Sequence, residues 1–290
     1  MGQFFDEIPL SFIPWIQEQH LFWVATAPLS ESGHVNLSPK GLDGTFHVVD
    51  ESTVWYEDMT GSGVETISHL RENGRITVMF CAFDGPPRIV RLFGTGTVYE
   101  FGTPEYEELL PVGKRNHGSR AAVMIKVHKV GTSCGFAIPF YEYKYQRTRY
   151  YNAARTFETF DRAYENQCPA EGFDPENLPE KGLRSYWKAN NSTGLDGLPG
   201  LLNASNHQLG PRDDLTLERA TMFYSGTSGK SGKNVPPAGH ASEMVLAEQK
   251  EQRSMALGLL DTKFVAGLSI GFAMAFMSLR MMQSSSVLSR

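Results

Sequence analysis

The sequence predicts a mainly β protein, a β-barrel with flanking helices. Short runs of bulky and β-branched residues recur up to Val130, and Gly, Pro, Ser and Asp clusters separate them at short intervals. A β-sandwich gives the same pattern, so these runs alone leave barrel and sandwich open. The long run over residues 88–99 contains Gly94 and Gly96, which indicate a bulge or a tight bend at a barrel corner.

Composition limits the function classes. The chain has 290 residues, of which 41% are hydrophobic and 20% charged, enough for one large domain with additions. A net charge of -5 argues against a nucleic-acid partner bound through its phosphates. Cys81, Cys134 and Cys168 are too widely spaced for a disulfide framework, which favours a reducing compartment. The histidines lack metal-site spacing, and the start lacks the features of a signal peptide.

The elements follow from periodicity and turn signals. A hairpin is predicted from residues 20–26 and the stretch that ends at Gly41, and further strands continue it as an antiparallel meander. Helices are predicted over residues 9–19, with Pro14 in the first turn, over residues 64–73, ended by Gly74, and over residues 104–110. The remaining strands are predicted over residues 46–50, 52–56, 75–82, 88–99 and 121–130.

Residues 35–41 form a candidate phosphate-binding stretch. Ser38 offers a hydroxyl, Lys40 offers a compact positive charge, and the backbone between Pro39 and Gly41 can expose N–H groups. An ordinary surface turn has the same composition, so this stretch needs support from elsewhere.

That support comes from the turn Thr60-Gly61-Ser62, which opens the helix over residues 64–73. Unpaired backbone N–H groups and the positive end of the helix dipole suit an anion there. Thr60 or Ser62 is predicted to cap the helix, and a capped helix without a ligand is the alternative. On the returning strand, Arg88 and Arg91 either face the anion or are solvated edge residues.

The order of these segments resembles the pyridoxamine 5′-phosphate oxidase-related family over residues 8–150. Residues 133–143 and 195–200 look like segments of one subgroup of that family. The resemblance implies an FMN-binding split β-barrel and a homodimer with FMN at the subunit interface. The matching segments are residues 20–26, Asn36-Leu37-Ser38-Pro39-Lys40-Gly41, Thr60-Gly61-Ser62, the helix to Asn73, residues 75–80 and residues 88–94.

The resemblance also implies roles for single residues. Lys40 matches a phosphate-binding lysine, Ser62 a serine beside the phosphate, and Arg91 a basic residue of the returning strand. No catalytic residue is assigned. The predicted cofactor-binding set is Asn36, Ser38, Lys40, Thr60, Gly61, Ser62 and Arg91.

Three departures from the oxidases leave the function open between classes. Gly63 and Val64 replace a basic pair, Ile89 replaces a glutamine near the flavin ring, and the C-terminal substrate segment has no counterpart. We expect an FMN-dependent oxidoreductase that acts on an unassigned small molecule. The first alternative is a split-barrel binding or scaffold protein that has lost flavin. The second is a pyridoxamine 5′-phosphate oxidase, against which the absent segment argues.

Beyond the barrel domain of residues 1–150, three further regions are predicted. Residues 151–222 form a mostly irregular extension that packs on the barrel. It begins with an aromatic helical stripe that ends at Tyr164 and consists of Tyr151, Phe157, Phe160 and Tyr164. Residues 223–242 form a flexible linker; Gly229-Lys230-Ser231 resembles a P-loop, but Tyr224 stands where its first glycine belongs.

Residues 243–290 form a C-terminal helical segment. Residues 264–279 carry no charge and lie between Lys263 and Arg280. The length of this stretch is close to the roughly 20 apolar residues that a membrane-spanning helix needs, and the flanking cations can extend the span. We therefore predict a membrane anchor over residues 264–282, with the barrel on the cytoplasmic side of an intracellular membrane. A buried core helix is the alternative.

Overall fold

A single antiparallel sheet of eight strands dominates the computed structural model, which describes residues 2–168 and 173–210. The strands are β1 (Gln3–Phe5), β2 (Phe22–Thr26), β3 (Asn36–Lys40), β4 (Phe46–Asp50), β5 (Thr53–Met59), β6 (Arg75–Cys81), β7 (Ile89–Glu100) and β8 (Ser119–Ser133). Their order in the sheet is β3-β2-β6-β7-β8-β5-β4, and β1 pairs with β8.

Five helices flank the sheet in the described residues. They are α1 (Ile13–Gln17), α2 (Glu65–Asn73), α3 (Pro104–Leu109), α4 (Thr148–Gln167) and α5 (Leu183–Asn190). Pro14 lies in the first turn of α1 as predicted, and a 3-10 turn over Leu10–Phe12 replaces the start of the predicted helix. Helix α2 ends at Gly74, whose φ of 69° is a left-handed conformation that glycine adopts without strain.

The predicted hairpin is confirmed, but the predicted meander is wrong. Strands β2 and β3 pair antiparallel, with Val24 opposite Ser38. However, β3 and β4 lie at opposite ends of the strand order, and β5 pairs with β8 as well as with β4. Alternation along a strand identifies its buried face but does not identify its partner strand, which depends on contacts distant in sequence.

Two apolar clusters form the core. The first lies against the sheet and includes Val24, Val78 and Leu92. The second includes Ile67 of α2 and Trp187 of α5, and so connects the sheet region to the later helices. Val64, Ile67 and Leu70 are all buried, which confirms the predicted apolar face of α2.

The later part of the chain packs against the barrel through buried charges as well as apolar side chains. Glu158 of α4 accepts a hydrogen bond from the Gly118 backbone N–H and lies 2.8 Å from His117 Nδ1. Arg184 of α5 lies 3.4 Å from Asp161 and is fully buried. The predicted aromatic stripe that ends at Tyr164 falls within α4, the longest helix of the described residues.

The remaining predictions for the C-terminal part lie outside the described residues. They concern the linker over residues 223–242, the P-loop-like sequence at residues 229–231 and the membrane anchor over residues 264–282. Within residues 2–168 and 173–210, no helix combines the length and the apolar character needed to cross a bilayer.

The bulge predicted from Gly94 is confirmed, because the register of β7 against β8 shifts between Phe93 and Gly94. A Cβ atom at Gly94 would lie 2.6 Å from the Lys126 carbonyl oxygen and from a methyl group of Ile125. We expect Gly94→Ala to lower the free energy of unfolding by about 1–3 kcal/mol, because the sheet must shift to admit the methyl group.

Urea denaturation of the purified variants measures this change. Gly113→Ala is the matched control, because a Cβ atom there meets nothing within 4 Å. Equal unfolding midpoints for the two variants would contradict the assigned role of Gly94.

Candidate functional site

A cleft of about 730 Å³ lies where β3, the end of β5, the start of α2 and the chain leading into α4 meet. Its first wall is formed by residues 38–42, and its second by residues 59–63 together with Thr66. Residues 145–147 and Tyr150 close a third side, and Arg120 of β8 lies at the base.

A buried carboxylate, Asp58, joins two of the cations that line this cleft. Asp58 Oδ1 lies 2.7 Å from Lys40 Nζ, and Asp58 Oδ2 lies 2.8 Å from Arg120 Nε. The side chains of Asp58 and Arg120 are 0% and 3% exposed, so these charges interact with little solvent screening. Since one carboxylate faces two cations, the group retains one net positive charge.

Burial alone would raise the pKa of Asp58, but the Arg120 guanidinium and the Lys40 ammonium outweigh that effect. Together they hold the pKa of the carboxyl at about 2. Asp58 is therefore ionised at neutral pH, and its charge keeps Lys40 and Arg120 in place.

A shift in strand register determines the position of Arg120. In the pairing of β5 with β8, Asp58 is opposite Ala121 and Met59 is opposite Ser119. Arg120 consequently has no partner residue on β5. Such bulges redirect side chains, and here the Arg120 guanidinium also donates from Nη1 to the Gly63 carbonyl oxygen at 2.9 Å.

Carboxylates also border the cleft near α2. Glu65 is the first residue of α2, where a negative charge interacts favourably with the helix dipole. Its carboxylate lies so close to Gly63 that a Cβ atom at Gly63 would overlap it. Glu57 accepts hydrogen bonds from the backbone and side-chain nitrogens of Asn116, at 2.7 and 2.5 Å.

Five of the seven predicted cofactor-binding residues line the cleft, namely Ser38, Lys40, Thr60, Gly61 and Ser62. Asn36 does not line the cleft, but it forms hydrogen bonds to two residues that line it. The Ser38 hydroxyl donates to Asn36 Oδ1 at 2.9 Å, and Asn36 Nδ2 donates to the Thr66 hydroxyl at 2.9 Å. Asn36 therefore orients two side chains of the cleft wall.

The structure does not bring Arg91 to this cleft. Arg91 lies on β7 and donates from Nη1 to the Ser133 hydroxyl at 3.3 Å. Arg88 lies over the rings of Phe12 and Trp15. Both arginines thus lie in other parts of the protein, Arg91 on β7 and Arg88 just before it.

The predicted cap of α2 is wrong. Val64 occupies the N-cap position and makes no side-chain capping bond. The Thr60 hydroxyl instead donates to the Gly118 carbonyl oxygen at 2.6 Å and accepts from Trp187 Nε1 at 2.7 Å. Asn191 Nδ2 donates to the Gly61 carbonyl oxygen at 2.9 Å, so the region around α5 holds this turn.

Sequence reasoning missed Arg120 and the aromatic rim of the cleft. The His20 and Tyr143 rings stack with their centroids 3.6 Å apart. Asp43 binds His20 Nδ1 at 2.9 Å and the Tyr143 hydroxyl at 3.3 Å, which fixes residues 143–146 against the barrel. For Arg120, the available signal was a charged residue directly before the apolar run at the start of β8.

Known proteins are similar to this chain in sequence. The family model for pyridoxamine 5′-phosphate oxidase matches residues 12–134. The pyridoxamine 5′-phosphate oxidase family protein ustO of Aspergillus flavus is 40% identical over 207 residues, which cover 70% of this chain and 80% of that protein. The chain belongs to the pyridoxamine 5′-phosphate oxidase family.

Solved structures with the split β-barrel of this family resemble part of the chain. HupZ of Group A Streptococcus is 25% identical and covers 42% of this chain and 91% of its own, with a TM-score of 0.35. A FAD-binding protein of Mesorhizobium loti is 12% identical and covers 46% and 96%, with a TM-score of 0.30. Both TM-scores are low, and the family assignment depends on the sequence relative.

Family membership makes flavin the cofactor to consider. A metal site has no comparable support. Within residues 2–168 and 173–210, no three His, Cys, Asp or Glu side chains are grouped closely enough to hold a metal ion.

We expect Asp58→Asn to lower the free energy of unfolding at pH 7 by about 3–5 kcal/mol, because two enclosed cations lose their shared counter-charge. The pKa of Asp58 is depressed to about 2. The stabilisation from its charge is therefore complete above the unfolded-state pKa of about 3.9 and is lost as the pH falls towards 2.

Urea unfolding measured at several pH values follows this change. The stability difference between wild type and Asp58→Asn should shrink between about pH 4 and pH 2. Asp6→Asn is the control, because Asp6 pairs with Lys129 on the surface, where ion pairs contribute little. A difference that stays constant over this pH range would contradict the assignment.

Proposed function

We propose that the chain is an FMN-binding flavoprotein that acts as an oxidoreductase on a small molecule. The observation that carries this proposal is the cleft in which Lys40 and Arg120 lie beside the turn Gly61-Ser62-Gly63. In a family that implies flavin, this is a cationic site for the cofactor's phosphate group.

The residues of the cleft fit that group chemically. Lys40, Asp58 and Arg120 leave one net positive charge at the base, and the exposed Ser62 adds a hydroxyl donor. The turn also brings backbone N–H groups, which suit phosphate oxygens. When bound, flavin would supply the electron transfer, and the chain's residues would supply binding and orientation.

The opposite side of the cleft suits a planar ring. Tyr143, Tyr145 and Tyr150 lie along it, and Tyr143 already stacks on His20. Aromatic faces pack well against other flat ring systems. This arrangement gives the cleft one cationic side and one aromatic side, which matches the two chemically different ends of FMN.

A second copy of the chain fits the exposed edge of the sheet. Strand β3 is at one end of the strand order, and Leu37 on it is 62% exposed. Val35, just before β3, is 75% exposed. An open edge with apolar side chains favours pairing with another chain, and it adjoins the cleft through Ser38 and Lys40. We propose a homodimer on this basis.

A flavin-free binding or scaffold protein is the second candidate, and two contacts favour it. Asp58 already neutralises one of the two cations, and the Glu65 carboxylate lies against Gly63, near where an anion would approach. Both contacts weaken the attraction of the cleft for phosphate.

Visible absorption of the purified full-length chain, with FMN added if the protein is colourless, distinguishes the two candidates. We expect a flavin spectrum, and we expect Lys40→Ala to weaken FMN binding by about 10- to 100-fold because a charge-assisted hydrogen bond is lost.

Lys129→Ala is the matched control, since Lys129 also pairs with an aspartate but lies outside the cleft. Thermal unfolding of each variant verifies that it is folded. If the wild type is colourless and binds no added FMN at millimolar concentration, the oxidoreductase proposal fails and the binding-protein candidate replaces it. Turnover of pyridoxamine 5′-phosphate by the flavin-loaded chain would instead identify the protein as a pyridoxamine 5′-phosphate oxidase.

A further inference from the structure

We propose that Arg120 is the residue that selects the phosphorylated flavin, FMN, over riboflavin. This inference rests on the proposed function. It assigns a phosphate-binding role to a buried arginine of β8, which lies 57 residues after the turn where the basic pair was expected.

The first support is the placement of the Arg120 guanidinium. Its Nε donates to Asp58 Oδ2 at 2.8 Å, and its Nη1 donates to the Gly63 carbonyl oxygen at 2.9 Å. Its Nη2 makes no hydrogen bond within the described part of the chain. Arg120 also lines the cleft, so its guanidinium is close to any ligand that the cleft holds.

The second support is that the guanidinium is held in position before any ligand arrives. Its side chain is 3% exposed, and Asp58 fixes it through an ion pair without solvent exposure. An arginine remains charged in proteins, so this burial does not neutralise it. Little conformational freedom is left to lose when an anion binds, which favours affinity.

The third support is that Arg120 supplies a positive charge at the turn where the basic pair is missing. Gly63 and Val64 stand where the related oxidases carry that pair, and neither residue has a charge. The Gly63 carbonyl oxygen accepts a hydrogen bond from Arg120, so the cation lies beside the same turn. The positive charge thus reaches the turn from β8.

Charge explains why such a residue distinguishes the two flavins. A phosphate monoester carries about -1.5 to -2 charges at pH 7, whereas riboflavin carries no phosphate. Asp58 offsets one of the two cations that it pairs with, so the group that remains without Arg120, Lys40 and Asp58, has no net positive charge. Removing Arg120 should therefore weaken FMN binding and leave riboflavin binding nearly unchanged.

The test is to measure the dissociation constants of FMN and riboflavin by fluorescence titration of the full-length chain. We expect the wild type to prefer FMN, and we expect Arg120→Met to reduce that preference by about 10- to 100-fold. Arg120→Lys should retain part of the preference, because it keeps the charge but loses the planar pair of donors.

Two further variants separate binding from folding. Asp58→Asn combined with Arg120→Met removes the carboxylate together with its cation and leaves Lys40 as the one net positive charge. It should therefore recover part of the FMN preference that Arg120→Met alone loses. Arg184→Met removes another buried guanidinium, which pairs with Asp161 away from the cleft, and it should keep the wild-type preference.

The outcomes distinguish this inference from the proposed function. A wild type that binds neither flavin overturns both. A wild type that binds both flavins equally, or an Arg120→Met variant that keeps the FMN preference, overturns the role of Arg120 while flavin binding stands. Loss of preference in Arg184→Met as well would show a general effect of deleting a buried arginine and would also overturn it.

Discussion

The structure around the cleft depends on one buried charge, the carboxylate of Asp58. A fully buried carboxylate is costly unless cations and hydrogen bonds compensate for its lost hydration. Lys40 of β3 and Arg120 of β8 provide that compensation. Three strands are therefore connected by electrostatics as well as by backbone pairing, at the place where the cleft opens.

The same charge determines what the cleft can attract. With Asp58 ionised, both cations are held in place, but only one positive charge remains in excess. A cleft of this kind has fixed donors and a modest positive charge, so an anion would have to match the donor geometry to bind well. The nearby Glu65 carboxylate strengthens this effect, because it disfavours anions that approach from the α2 side.

Much of the fold could be predicted from the sequence because its signals are local. The β2–β3 hairpin, the α2 helix with Gly74 at its end and the bulge at Gly94 each depend on residues close in sequence. The pairing of β5 with β8 could not be predicted, because alternation does not identify a partner strand.

The residues of the candidate site also divide into those that local sequence predicts and those that depend on distant contacts. The grouping of Ser38, Lys40 and the turn at Ser62 in one cleft could be predicted, because each lies in a short stretch that matches the family. Arg120 could not, since its position depends on a one-residue register shift that only the paired strands reveal. Arg91 was matched by its place in the sequence, but the register of β7 directs it to Ser133.

The bonds from the α5 region to the turn at Thr60 and Gly61 also bear on the order in which the protein is assembled. Trp187 and Asn191 bind residues that lie 127 and 130 positions earlier in the chain. On the ribosome, the strands of the barrel emerge long before these partners do. Contacts with such large sequence separation form late, since the loop-closure cost must be met first. The nascent barrel therefore pairs its strands while the turn at Thr60 and Gly61 still lacks its final support.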